Sequence, residues 1–218
     1  MFNFPKSTIV NKFIPKKSFY YHANMKPTLK LAFQNDLERI TWTHKFSPET
    51  LNIKSGDWPE VEVFELELKN TNFNPDILKA IDSVIPYPIL FVIKKASLVK
   101  LAISYKKPNQ KNENIAKVDT IFQTEWNAPI INNLELTGLS TDNIYASFLS
   151  QIAGDRLKQG AGSPTTPIIN IPTGIERMKE REKIMKQIAT LDRQIKSEPS
   201  IGKKQALAEQ RYRLKQLL

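Results

Sequence analysis

Four side chains have the types and the spacing of a metal-dependent nuclease site: Asp57, then Glu65 and Glu67 two residues apart, then Lys69. Residues i, i+2 and i+4 of a β-strand share one face, so Glu65, Glu67 and Lys69 line one side of a strand with Asp57 just upstream. Mg²⁺ takes hard carboxylate oxygens, and a cation beside a lysine can orient and activate an attacking water. In that reading Asp57, Glu67 and Lys69 are the working set of a restriction-endonuclease-like enzyme. The same alternation also arises on any solvent-facing strand side, and a lysine at a strand end guards against edge pairing. No catalytic residue is therefore assigned outright, and the balance leans away from an enzyme.

Other chemistries are thinly provided for. The chain has no cysteine and only two histidines, His22 and His44, too few soft ligands for a zinc site. Its seven glycines are scattered, and Gly160-Ala-Gly162 sits in a Pro/Gly stretch rather than between a strand and a helix, so no phosphate-cradling loop is encoded. No serine lies in a nucleophile elbow. The expectation is no resident metal and no cofactor, with Mg²⁺ only under the nuclease alternative. Trp42, Trp58 and Trp126 read as core or rim residues first and as base-stacking platforms second.

The formal charge of +10 is blocked along the chain. Residues 1–35 hold six lysines and no acid, residues 36–82 five basic and ten acidic side chains, and residues 94–117 seven lysines against Glu113. From Glu176 onward there are twelve basic and six acidic residues. Such blocks favour a polyanion, because neutralising phosphates releases counterions. The backbone contacts expected from this pattern are Lys16, Lys17, Lys94, Lys95, Lys106 and Lys107. Lysine in place of arginine suits weak, sequence-independent binding to DNA. The plainer reading of the same charges is solubility. The absence of cysteine fits a reducing compartment, and no apolar run approaches the ~18 residues of a membrane span, so the chain reads as cytoplasmic, neither secreted nor membrane-spanning.

The elements that must position these groups read as an α+β fold: a mixed, mainly antiparallel sheet of about five strands with helices packed on it. The spacing of Leu29, Phe33, Leu37 and Ile40 predicts an amphipathic helix after Pro27, with Thr28 placed to cap it. Strands follow at 40–46, 61–68, 89–93, 98–105 and 120–126, with a helix after Asn74-Pro75-Asp76 and another from Thr141 to about Gly154. In the 61–68 strand Phe64, Leu66 and Leu68 share the core face, and Val61, Val63, Glu65 and Glu67 the other. The segment before Lys26 reads as an extended arm and 106–117 as a polar loop. The domain plan is 1–158 globular, 159–175 a Pro/Gly linker and 176–218 a helical hairpin.

That hairpin is an antiparallel coiled coil, with Ile184, Ile188, Leu191 and Ile195 facing Leu207, Leu214 and Leu218 across the Ser197-Glu-Pro-Ser-Ile-Gly202 break. Met185, Tyr212 and Leu217 fall outside the seam. Short helices depend on packing for most of their stability, so these leftovers predict a further surface, either a partner protein or a second copy in a homodimer.

Ile14-Pro-Lys16, Ile40-Thr-Trp-Thr-His-Lys-Phe46 through Ile53, Val61-Glu-Val-Phe-Glu-Leu-Glu-Leu-Lys69, Ile85-Pro-Tyr-Pro-Ile-Leu-Phe91 and Thr124-Glu-Trp126 together resemble the bacterial family numbered 4391 among domains of unknown function, over nearly the whole chain. At the hairpin tip this chain carries Glu198-Pro-Ser-Ile-Gly202 where the family has a glutamate-lysine-glutamine-phenylalanine-asparagine turn. The resemblance implies a role beside DNA methyltransferases and DEAD-type helicases in restriction-modification or phage-defence systems. Joined to the charge pattern, it points to a DNA-binding accessory subunit working with a helicase or methyltransferase. The alternatives are the Mg²⁺-dependent nuclease and a structural scaffold or dimerisation protein without nucleic-acid contact.

Overall fold

A computed structural model describes residues 2–22, 25–108, 116–158 and 171–218. The chain divides into two compact units, Met1–Ala153 and Gly154–Leu218. The first is built on a six-stranded sheet in the order β1 (Ile9–Phe13), β2 (Leu37–Phe46), β3 (Val61–Leu68), β4 (Ile89–Lys95), β5 (Leu98–Pro108) and β6 (Ala116–Gln123). All neighbours are antiparallel except β3 and β4, which are parallel and joined through α4 (Asp76–Val84). A parallel pair needs such a crossover because a tight turn can only reverse the chain.

The sheet has six strands rather than about five because part of the N-terminal arm is itself a strand. β1 pairs with β2, and its register slips at Asn11, which takes a left-handed φ of 49°. Gly-free alternation too short to read in sequence becomes a strand once a partner edge is available. The helix expected over 27–40 stops at Asp36. Leu37 and Ile40, which fit its spacing, are buried on β2 instead, and Thr28 makes no cap. Residues three apart share a helix face but not a regular strand face; the register shift between Leu37 and Arg39 brings both onto one core face, opposite Leu68 and Leu66. The last strand starts at Ala116, four residues ahead of expectation, and β5 runs on to Pro108 where a polar loop had been read.

One sheet face is covered by α1 (Lys17–His22), α2 (Pro27–Asp36) and α4: Phe19, Phe33, Ile77, Leu78 and Ile81 pack with Phe64, Leu66, Phe91, Ile93 and Ala102. The other face is covered by α6 (Thr141–Ala153), while α3 (Pro48–Leu51) and α5 (Ile130–Asn133) are single turns in the connecting loops. Val61 and Val63 are therefore core residues as well, and the solvent-facing side expected for β3 begins only at Glu65. Phe148 of α6 packs on Phe46 with Phe4 beside both.

α6 is fixed at two places. At its start, the Asp142 carboxylate accepts the backbone N–H groups of Asp57 (2.9 Å) and Trp58 (3.0 Å), and the Thr141 hydroxyl accepts that of Gly56. A side chain at Gly56 would run into Asp142, with a Cβ only 2.2 Å from its carboxyl carbon. In mid-helix, the Tyr145 hydroxyl reaches the backbone of β5, donating to the Ser104 carbonyl (2.6 Å) and accepting from the Lys106 amide (2.7 Å). These two groups lie beyond Ile103, the last β5 residue paired with β4, and the buried phenol partners both.

In the second unit, α7 (Asp155–Lys158) packs on α8 (Ile171–Ser197), which pairs with α9 (Ile201–Lys215). The ion pair of Asp192 with Arg211 and the bond from Arg181 to the Leu218 carbonyl run the two helices antiparallel. Ile184, Ile188 and Leu191 are buried in the seam, with Ile195, Leu207 and Leu214 half-buried. α8 starts at Ile171 rather than 176, with Pro172 in its first turn, where a missing N–H costs no intrahelical bond. The rest of the expected linker, 159–170, lies outside the described residues.

Removing only the Tyr145 hydroxyl tests this link between α6 and β5. Tyr145→Phe leaves a buried N–H and a buried carbonyl without partners, and should lower unfolding free energy by about 1–3 kcal/mol in urea denaturation. Tyr212→Phe, on an exposed position of α9, should change it by less than ~0.5 kcal/mol.

Candidate nucleic-acid interface

The nuclease set does not assemble. Asp57 lies in the loop before β3, and its exposed carboxylate is about 20 Å from the far end of the strand where Glu67 and Lys69 sit, at ~3.3 Å per residue. Glu65 is ion-paired with Lys94 on the neighbouring parallel strand. Lys69 turns away from Glu67: its ammonium donates to the Gln34 carbonyl (2.9 Å) and its amide to the Asp36 carbonyl (2.8 Å) at the end of α2. Among the described residues no three acids or histidines are placed to share a metal ion.

The six lysines assigned to phosphate contact also part company. Lys106 is a core residue, with neither its side chain nor that of Asp82 exposed at all. Lys94 is held by Glu65, and Lys16 donates to the Leu37 carbonyl at the end of α2. α2 has no basic residue of its own in its last turn. Lys16 and Lys69, from distant parts of the chain, satisfy its last carbonyls and complement the negative end of the helix. Burial and the charge of Lys69 both lower the pKa of Lys16. Lys17 and Lys107 are exposed and Lys95 is half-buried. They do not converge: Lys95 is at the β4–β5 turn opposite Leu98, while Lys107 is opposite Lys117, about 30 Å along β5.

The reason Lys106 is inside is geometric. Alternation along β5 puts Lys106 on the face of Ala102 and Ser104, under α4, where the ammonium donates to Asp82 Oδ1 (2.8 Å) and to the carbonyls of Ile85 and Tyr87 (both 2.6 Å). All three ammonium protons have acceptors, the condition under which a buried ion is tolerable. Burial pushes the Asp82 carboxyl up and the Lys106 ammonium down, and each charge opposes the shift of the other.

Glu62 is a buried acid that the sequence reading passed over, although the alternation that turns Phe64 inward turns Glu62 inward too. Its side chain sits between β2 and β4 at the start of β3, in register with Lys45 and Ile89 and 3% exposed. Burial, followed by a hydrogen bond to Glu60 and its charge, raises its pKa from 4.5 to about 9. Lys45 is ion-paired with Glu60 at 2.7 Å rather than with Glu62. Nearby, the Nδ1 of His44 is buried without a hydrogen-bond partner, its ring edge-on to Phe4 at 5.2 Å, and burial lowers its pKa. The tryptophans are structural or rim residues: Trp58 packs on Tyr145, Trp42 donates to the His44 carbonyl, and half-buried Trp126 carries Lys100 over its ring at 5.8 Å.

The helical hairpin carries exposed positive charge, as Lys17 and Lys107 of the first unit do. Asp192 pairs with Arg211 and Glu209 with Arg213, while Lys179, Lys183, Lys186 and Arg193 are all exposed along α8. Met185, Tyr212 and Leu217 are 52%, 63% and 69% exposed, so the expected leftovers are on the surface of the unit. Among the described residues no helix is long and apolar enough to cross a membrane.

The model of one protein family, domain of unknown function (DUF4391), matches residues 2–217. The chain belongs to that family. No curated protein and no solved structure matches it.

Two predictions follow from the buried charges. Lys106→Met strands the Asp82 carboxylate and should cost about 3–5 kcal/mol in chemical denaturation. The double variant Asp82→Leu/Lys106→Met should recover most of that loss, whereas Lys107→Met should move stability by less than ~0.5 kcal/mol. For Glu62, the folded pKa is above the unfolded value, so the folded state binds the extra proton and stability falls as pH rises from about 4.5 towards about 9. Glu62→Gln keeps the neutral shape, and its unfolding midpoint should exceed that of the wild type at pH 8 and match it near pH 4.

Proposed function

We propose that this member of the DUF4391 family is a nucleic-acid-associated accessory subunit, working beside a helicase or DNA methyltransferase of a bacterial restriction-like or phage-defence system. The observation that carries this reading is the second unit. From Glu176 onward it has twelve basic and six acidic residues, and its apolar side chains Met185, Tyr212 and Leu217 are on the outside. A basic surface with exposed apolar anchors suits a module that contacts a polyanion through charge and a protein through hydrophobic burial. The nuclease alternative is opposed by the engagement of Lys69 with α2 and by the distance of Asp57 from Glu67. A dimeric scaffold would use the same three apolar residues and no DNA.

The test is fluorescence anisotropy with a labelled DNA duplex. Binding should be micromolar at about 50 mM salt and fall by at least an order of magnitude by about 200 mM, the behaviour of phosphate contacts. No binding at the lower salt, or binding that ignores salt, would reject the proposal. Plasmid DNA should stay intact with Mg²⁺ or Mn²⁺, and cleavage abolished by Lys69→Ala would promote the nuclease instead.

A further inference from the structure

We infer that the flank of the hairpin carrying Met185, Ile201 and Tyr212 docks an amphipathic helix of a partner protein, one whose apolar stripe is bordered by acidic side chains. This rests on the accessory-subunit reading above and names the chemistry of the protein that the subunit holds. The seam of α8 and α9 divides the unit into two flanks. The ion pair of Asp192 with Arg211 and the bond from Arg181 to the Leu218 carbonyl mark one of them. Open grooves lined by Gln187, Thr190 and Gln210, and nearer the tip by Gln194 and Lys203, mark the other. Met185 lies four residues after Arg181 and seven before Asp192, which places it on the first flank. On α9, Ala208 precedes Arg211 by three residues, and Ile201 and Tyr212 share its side at spacings of seven and four. Met185, Ile201 and Tyr212 are each more than half exposed. Leu217, three residues after Leu214 and seven after Gln210, stands on the opposite, polar flank.

The charges around the Met185 flank select the occupant. Lys196, Lys204 and Lys215 border it, all exposed and, among the described residues, without an ion-pair partner. Asp192 on this flank is held by Arg211, Glu182 and Glu198 line the opposite grooves, and Glu180 and Glu209 pair with Lys183 and Arg213. A second copy laid on the flank sets lysine against lysine whichever way it runs: antiparallel, Lys196 and Lys204 at the tip meet Lys215, and parallel, each meets its own counterpart. Acidic side chains on a different protein meet them with opposite charge. An extended peptide finds no free backbone edge here, because the N–H and carbonyl groups are spent within the helices. A helix needs only apolar anchors and room, and the small Ala189 and Ala208 beside those anchors allow close approach. From Arg181 to Lys196 the flank runs about 22 Å at ~1.5 Å per residue, the length of about four turns of a docked helix.

The experiment uses the full chain to select from a displayed library of random peptides about 18 residues long, about five helical turns. Enriched peptides should carry apolar residues at i, i+3, i+4 and i+7 and a net negative charge, and a labelled synthetic copy gives the affinity by fluorescence anisotropy. Met185→Gln/Ile201→Gln/Tyr212→Gln should weaken that peptide on the order of 10-fold or more, and Ala206→Gln/Leu217→Gln on the opposite flank should stay within about threefold of wild type. Lys196→Gln/Lys204→Gln/Lys215→Gln should weaken it about 3- to 10-fold at low salt and flatten its salt dependence, whereas the equal charge change Lys183→Gln/Lys186→Gln/Lys203→Gln should stay within about twofold. Equal losses from the two flanks, enrichment of basic or non-helical peptides, or no enrichment overturns the inference. Sedimentation showing a dimer of the full chain that the Met185 triple variant abolishes makes a second copy the occupant and overturns it as well. Anisotropy with a labelled DNA duplex separates this from the nucleic-acid reading. A chain that binds the duplex and selects no peptide loses the helix site alone, one that selects acidic helices and binds no duplex loses the nucleic acid alone, and one that does neither loses both. Circular dichroism of each variant confirms that helix content is retained.

Discussion

The segment 104–106 of β5 fastens both helical layers to the sheet. On one side the Lys106 side chain crosses to Asp82 of α4 and to the carbonyls of Ile85 and Tyr87, the loop that delivers β4 to its place beside β3. On the other side Tyr145 of α6 partners the Ser104 carbonyl and the Lys106 amide, which lie beyond the β4 pairing. The single parallel pairing in the sheet depends on this arrangement, because α4 must return the chain across the sheet and then be held there. Ion pairs without solvent exposure recover little net energy from their attraction. What this one supplies is exclusivity: any other register of β5 leaves a buried carboxylate, an ammonium and two carbonyls unpartnered.

Five lysines of the first unit are committed to structure in the same manner. Lys16 and Lys69 close the end of α2, Lys94 neutralises Glu65 across the parallel pair, Lys45 holds Glu60, and Lys106 is buried. A lysine-rich sequence block is therefore no measure of a basic surface. The second unit differs because a two-helix hairpin has only one seam to bury. Beyond the seam and the buried Ile171 and Ile175 at the start of α8, the charged side chains of α8 and α9 remain largely in water.

Glu62 shows the converse case, an acid kept on a core face. Its neighbours Glu60 and Lys45 are already paired with each other, and burial holds it protonated over the physiological range. A neutral carboxyl is both donor and acceptor, so Glu62 can bond to the Glu60 carboxylate where two ionised groups would repel.

The α+β class, the helix after Thr141, the strands from Val61 and Ile89 and the hairpin seam were legible in the sequence, because each is set by a local period of apolar residues that tertiary contacts reinforce. β1 and the end of α2 were not. A five-residue strand with exposed Ile9 and Phe13 has no internal pattern to announce it, and Leu37 and Ile40 fit a helix until Leu66 and Leu68 claim them. The site followed the same division. The residue types of a nuclease, Asp57, Glu65, Glu67 and Lys69, were visible in sequence, but whether they meet depends on distances that only the packed sheet sets. The sequence by itself determined where charge and apolar surface lie along the chain. The tertiary structure decided which lysines are partners of carbonyls and carboxylates and which remain for a ligand, because long-range pairing consumes charge in ways that no local spacing records.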